Sequence, residues 1–125
     1  MSRPLKTHII VRTTFEGVHR YADAPEEVAY LRQPHRHQFG VEVEIEVFHD
    51  DRELEFIMVK HRIENFIELC KAGRPHWDMD KLSCEQVAIC LANSLESAYG
   101  KREMIITIDE DGENGARVYF NKENE

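Results

Sequence analysis

At 125 residues the chain has the length of one domain, enough to bury a core without disulfides or a structural metal. The 42% apolar and 32% charged fractions are those of a globular protein, and no apolar run approaches the roughly 18 residues of a membrane helix. The start, MSRPLKTHIIV, lacks a signal-peptide core. A net charge of −8 argues against long nucleic acid, which needs clustered Lys and Arg, but leaves room for a small phosphorylated ligand held by a few arginines and backbone N–H groups.

The first element, THIIVRTTFEGV, mixes β-branched and aromatic residues up to Gly17 and predicts a strand. YADAPEEVAYLRQP follows as a loop bounded by Pro25 and Pro34, with at most a short helical turn, and is long enough to suggest function. QFGVEVEIEVFHDDRELEF alternates: Phe39, Val41, Val43, Ile45 and Val47 face one way while Glu42, Glu44 and Glu46 face the other. His49 to Arg52 then turn it into an expected short strand, Glu53 to Phe56.

From Ile57 the period lengthens to three and four residues through Cys70, and Gly73 and Pro75 stop this helix. Ser83 and Gln86 form a capping box for a second helix that closes at Gly100. Two strands, Met104 to Asp109 and Ala116 to Phe120, join through DGENG. The order ββααββ predicts one α+β domain over residues 1–125, a four-stranded antiparallel sheet with two helices on one face. Its uncovered edges predict a homo-oligomer. Cys70, Cys84 and Cys90 form no CxxC pair, and Cys70 and Cys90 fall on apolar helix faces, so they read as reduced core thiols.

His35 and His37, two apart at a strand entrance, project to one face, and His19 ends the first strand. If those strands pair as a hairpin, three imidazoles converge as in three-histidine zinc sites with one open position. The competing reading makes them polar wall residues of a pocket. Ser83 and Glu85 stand at a helix N-terminus that favours phosphate oxygens, though Ser83 also serves as a plain N-cap. Leu82 suits the face of a base or a hydrophobic staple. Asp109, Glu110, Asn114 and Arg117 gather around the last turn, where carboxylates can accept from base or ribose donors and Arg117 can grip a diphosphate; alternatively they are a solvated hairpin tip. Asn93 is polar within AICLANSL, so it is either exposed or bound to something. Arg36 supplies positive charge near the loop.

FEGVHRY, PHRHQFGVEVEIEV, SCEQVAICLANSL and ITIDEDGENGARVYF resemble, in order, blocks of the 6-pyruvoyl-tetrahydropterin synthase superfamily, the tunnelling fold. That resemblance implies His19, His35 and His37 as zinc ligands, Glu110 as the anchor of a pterin base, and subunits stacked in rings with pockets between them. The synthase pattern also carries a Cys just before the HxH, where this chain has Gln33 and Pro34. IIVRTTFEG, APEEVAYLRQPHRH, VEVEIEVFHDDRELEFIM and DEDGENGA resemble the phage Thoeris anti-defence sponge family of the first type. This second resemblance implies a hexamer, in the cytoplasm of an infected bacterial host, that sequesters glycocyclic ADP-ribose and, in some members, cyclic oligonucleotides. The missing Cys and this likeness predict a binding protein that is not an enzyme and has no cofactor. Leu82, Ser83, Glu85, Asn93, Asp109, Glu110, Asn114, Arg117 and Arg36 are then the expected ligand contacts. The alternative is a zinc-dependent synthase-like enzyme working through His19, His35 and His37.

Overall fold

The structure is a computed structural model and describes residues 1–121. In chain order it comprises β1 (Thr7–His19), a 3-10 segment (Glu26–Arg32), β2 (His35–Val47), α1 (Phe56–Lys71), β3 (Trp77–Asp80), α2 (Cys84–Tyr99), β4 (Met104–Glu110) and β5 (Asn114–Phe120). The strands form one sheet in the order β3-β1-β2-β4-β5. Its β1–β2, β2–β4 and β4–β5 neighbours are antiparallel, as the alternation predicts, but β3 runs parallel to β1.

The sheet is therefore mixed and five-stranded, which corrects the four-stranded antiparallel expectation. The extra strand, WDMD, is too short to declare a period, yet its two apolar side chains, Trp77 and Met79, are buried while Asp78 and Asp80 are exposed. The expected strand over Glu53–Phe56 does not form. Arg52 adopts the left-handed region at φ 56°, and the Glu55 carboxylate accepts from the N–H groups of Ile57 and Met58, so Phe56 already opens α1. A local cap thus overrides a short run of alternation.

Both helices cover one face of the sheet. Val59, Ile63 and Ile67 of α1 and Val87, Ala88, Leu91 and Leu95 of α2 join Val11, Phe15, Phe39, Val41, Val43, Ile45, Ile106 and Ile108 in a single core cluster. At the α2 start the expected capping box is present: Ser83 Oγ accepts from Gln86 N, and Gln86 Oε1 accepts from Ser83 N. Of the cysteines, Cys84 is buried, Cys70 half-buried and Cys90 exposed, so the core assignment fails for Cys90.

The edge formed by the β2 end and the β4 start is closed by a buried arginine. Arg102 grips the Glu53 carboxylate with both terminal nitrogens, at 2.6 and 2.8 Å, and donates to the Tyr99 and Glu46 carbonyls. Its guanidinium lies 4.3 Å from the Phe48 ring centroid. This clamp ties the 48–55 loop to the sheet.

Candidate metal centre and cleft

At the opposite end of the sheet the core stripes of three strands give way to polar residues. On β1 the inward positions Val11 and Phe15 lead to Gly17 and His19; on β2 His35 and His37 precede Phe39 and Val41; on β4 Ile106 and Ile108 lead to Glu110. Strand alternation alone keeps those polar residues on the core face. The pairing register sets His19 opposite His35, Gly17 opposite His37 and Phe39 opposite Glu110. Gly17 is needed there, because a Cβ would fall 2.5 Å from the Met79 sulfur and 2.9 Å from the Phe39 ring.

The three imidazoles converge. Ring centroids lie 4.7 Å apart for His19–His35, 5.0 Å for His35–His37 and 5.5 Å for His19–His37, and one ring nitrogen from each falls within 4.8 Å of the others. On their outer sides the Nδ1 atoms have acceptors: Leu82 O for His19 and Gln33 O for His35, both at 2.9 Å, and Asp111 Oδ2 for His37 at 2.7 Å. A carbonyl or carboxylate accepts and cannot donate, so each Nδ1 is the donor in its contact, which leaves Nε2 as the ring nitrogen open to a metal. The Glu110 carboxylate meets two of those nitrogens, with Oε2 3.0 Å from His19 Nε2 and Oε1 3.5 Å from His37 Nε2.

Three imidazole nitrogens with their other nitrogens anchored are a donor set and outer shell that could hold a zinc ion. His37 is held most firmly, since Asp111, in the left-handed region at φ 59°, also accepts from Gln38 N at 2.8 Å. The hydrogen bonds from His37 and Gln38 hold the Asp111 carboxyl below its usual range.

The centre opens into a cleft of about 540 Å³, lined along one wall by Leu82, Ser83, Cys84, Glu85 and Gln86 and elsewhere by Tyr21, Leu31, Glu110, Asn114 and Gly115, with Arg20 and Lys81 among its lining cations. Burial, reinforced by Glu110, Glu85 and Asp109, pushes the Cys84 thiol up to about 11, so it stays protonated and makes a poor nucleophile. Arg20 Nε also donates to Asp80, at 3.3 Å.

Of the sequence-derived contacts, Leu82, Ser83, Glu85, Glu110 and Asn114 line this cleft together with His19 and His35. The Ser83 hydroxyl is committed to its cap, and Leu82 contributes its carbonyl to His19 as well as its side chain to the wall. The others lie elsewhere. Asn93 is exposed along α2. Asp109 lines a separate groove with Arg12, Gln38 and Gly40, because odd positions of β4 face away from the helices. Arg117 donates to Thr107 Oγ1, and Arg36 faces Glu16 at 3.8 Å. Sequence reasoning passed over Asp111, whose turn conformation is not periodic.

No family model and no curated protein sequence matches the chain. Its fold has a clear likeness: an α+β subunit with this mixed sheet and helix layer is similar to the tunnelling fold of 6-pyruvoyltetrahydropterin synthases. Two solved structures of the Plasmodium vivax synthase, catalytic-residue mutants with a glutamate replaced by cysteine or by alanine, superpose with TM-score 0.69 at 13% and 14% identity, covering 94% of this chain and 99% of theirs. The Plasmodium falciparum synthase superposes with TM-score 0.66 at 13% identity over 93% of this chain and 98% of its own. At such identity the likeness is one of fold.

The expectation that the chain is not an enzyme is corrected by these neighbours, which are synthases. Two of them are mutants of a catalytic glutamate, so a synthase of this fold has a catalytic residue that is not a cysteine. No helix among the described residues is long and apolar enough to cross a membrane.

Proposed function

We propose that the protein is a zinc-dependent enzyme acting on a nucleotide-derived pterin triphosphate, with His19, His35 and His37 holding the metal. One observation supports this above others: three imidazoles with anchored Nδ1 atoms bring one ring nitrogen each within 4.8 Å of the others, with Glu110 beside them. Bound zinc would supply Lewis-acid polarisation of a substrate oxygen. The chain's own groups do the rest. Glu110 accepts from the amino edge of the heterocycle, Arg20, Lys81 and the N-terminus of α2 receive phosphate oxygens, and Glu85 is the carboxylate on the cleft wall available to hold a proton.

A second ligand class shares the same cleft. A cyclic ADP-ribose isomer, or another cyclic nucleotide messenger, also presents a diphosphate and a base amino group, which Arg20 with Lys81 and Glu110 can meet. This reading makes the protein a phage anti-defence factor that captures the Thoeris messenger in the cytoplasm of the infected host. In both readings it works as a homo-oligomer, a hexamer in the second, whose assembly protects the edges at β3 and β5.

Metal analysis of the purified protein, followed by chromatography of a pterin triphosphate incubated with it, separates the two. Stoichiometric zinc and metal-dependent substrate loss are expected. A protein without zinc that leaves the pterin intact, yet melts higher with a cyclic ADP-ribose isomer, would replace the first reading by the second.

Asp111→Ala should weaken zinc binding about 10- to 100-fold in a chelator competition, because His37 loses the group that fixes its ring and tautomer. Asp111→Asn, which retains an acceptor oxygen without the charge, should fall between.

A further inference from the structure

We propose that Glu110 is a fourth, displaceable metal ligand, so that the centre rests closed and opens only when a substrate draws this carboxylate away. The inference rests on the metal reading above and extends it to how the open coordination position arises.

Glu110 ends β4 in phase with Ile106 and Ile108, so its side chain emerges on the histidine face without any turn of the backbone. Its two oxygens are shared between two rings, Oε2 3.0 Å from His19 Nε2 and Oε1 3.5 Å from His37 Nε2. Ligands of tetrahedral zinc, bonded at about 2.0–2.2 Å, stand about 3.4 Å from one another. The carboxylate therefore already sits one coordination edge from two of the three nitrogens. Leu82 O and Asp111 hold the two rings from their Nδ1 sides, which leaves both Nε2 atoms turned to the carboxylate with room for a cation that all three would share.

The next residue stabilises the triad when Glu110 leaves. Asp111 turns through the left-handed region and grips His37 from the Nδ1 side, so consecutive carboxylates bracket one ring from its two nitrogens. Movement of Glu110 frees a position on the metal without releasing His37. The ligand able to cause that movement must compensate the carboxylate with donors of its own. An aminopyrimidinone edge does so, because its ring N–H and exocyclic NH₂ present two parallel donors to the two oxygens. Recognition of the heterocycle and opening of the metal then become one event, and a phosphorylated compound without that edge would leave the centre closed.

Cobalt-substituted protein tests this, with neopterin as the probe and Glu110→Gln and Glu110→Ala as variants. The wild-type protein is expected to bind Co²⁺ at least about 10-fold more tightly than either variant, to lose that margin in the presence of neopterin, and to show a neopterin-dependent change in the Co²⁺ visible band. Ribose 5-triphosphate, which lacks the edge, should leave the band unchanged. Equal Co²⁺ affinity and an identical band in wild type and both variants would overturn Glu110 as a ligand while leaving the three-histidine centre standing. Failure of all three, shown folded by far-ultraviolet circular dichroism, to bind Co²⁺ would overturn the metal reading itself.

Discussion

His37→Ala is expected to weaken zinc binding by roughly 100- to 1,000-fold while the metal-free protein unfolds within about 1 kcal/mol of the parent. The magnitude follows from dividing the roughly 10–16 kcal/mol of a structural four-ligand zinc site among its ligands, which leaves about 3–4 kcal/mol for each. The small stability effect follows from position, since the His37 side chain is 21% exposed and lies beyond the apolar stripe that ends at Phe39. His35→Ala should behave alike. His8→Ala is the control: it removes an imidazole from the same strand as His19, but at the far end beside Glu103, and should leave metal affinity unchanged. If His37→Ala and His8→Ala alter zinc affinity equally, the convergence of the three rings has no bearing on metal binding.

Much of this site was legible because it is periodic. The alternation of QFGVEVEIEV fixes which face His35 and His37 occupy, and pairing β1 with β2 as a hairpin suffices to bring His19 against them. Glu110 follows from the same rule applied to β4. What escaped is aperiodic. β3 spans only Trp77–Asp80 and gains its strand character from the parallel register with Gly17 and Val18, a contact some sixty residues distant that no local pattern encodes. Asp111 acts from a left-handed turn position, where side-chain direction depends on the turn and not on strand phase. Asp109 and Arg117 failed as cleft residues for the converse reason: proximity in sequence to Glu110 and Asn114 was read as proximity in space, whereas odd positions of β4 and β5 point to the uncovered face. The same lesson applies to function. A cysteine absent from one motif position argued against catalysis on the assumption that the role demands a thiol, whereas a synthase of this fold is known with a catalytic glutamate.

Arg102→Ala is expected to destabilise the protein by about 3–5 kcal/mol at neutral pH, read from urea unfolding. The side chain is only 8% exposed and makes a two-pronged ion pair, two carbonyl contacts and a ring contact, so truncation leaves the Glu53 carboxylate, 19% exposed, without its cation. Acid should erase part of the same contribution. The Arg102 hydrogen bonds, opposed by burial and aided by Phe48 N, lower Glu53 from 4.5 to about 2. A carboxylate with a depressed folded-state value stabilises fully above its unfolded value, and that stabilisation fades as pH falls from about 4.5 toward 2. The interval corresponds to at most about 3 kcal/mol, of which about 2 should already be lost at pH 3. Wild type and Arg102→Ala should therefore unfold at more similar urea concentrations at pH 3 than at pH 7. Replacing both partners, Glu53→Gln with Arg102→Met, should cost less than Arg102→Ala alone, because no charge is then left without its partner. A gap between wild type and Arg102→Ala that stays constant from pH 7 to pH 3 would assign the clamp's effect to packing against Phe48 and not to the ion pair.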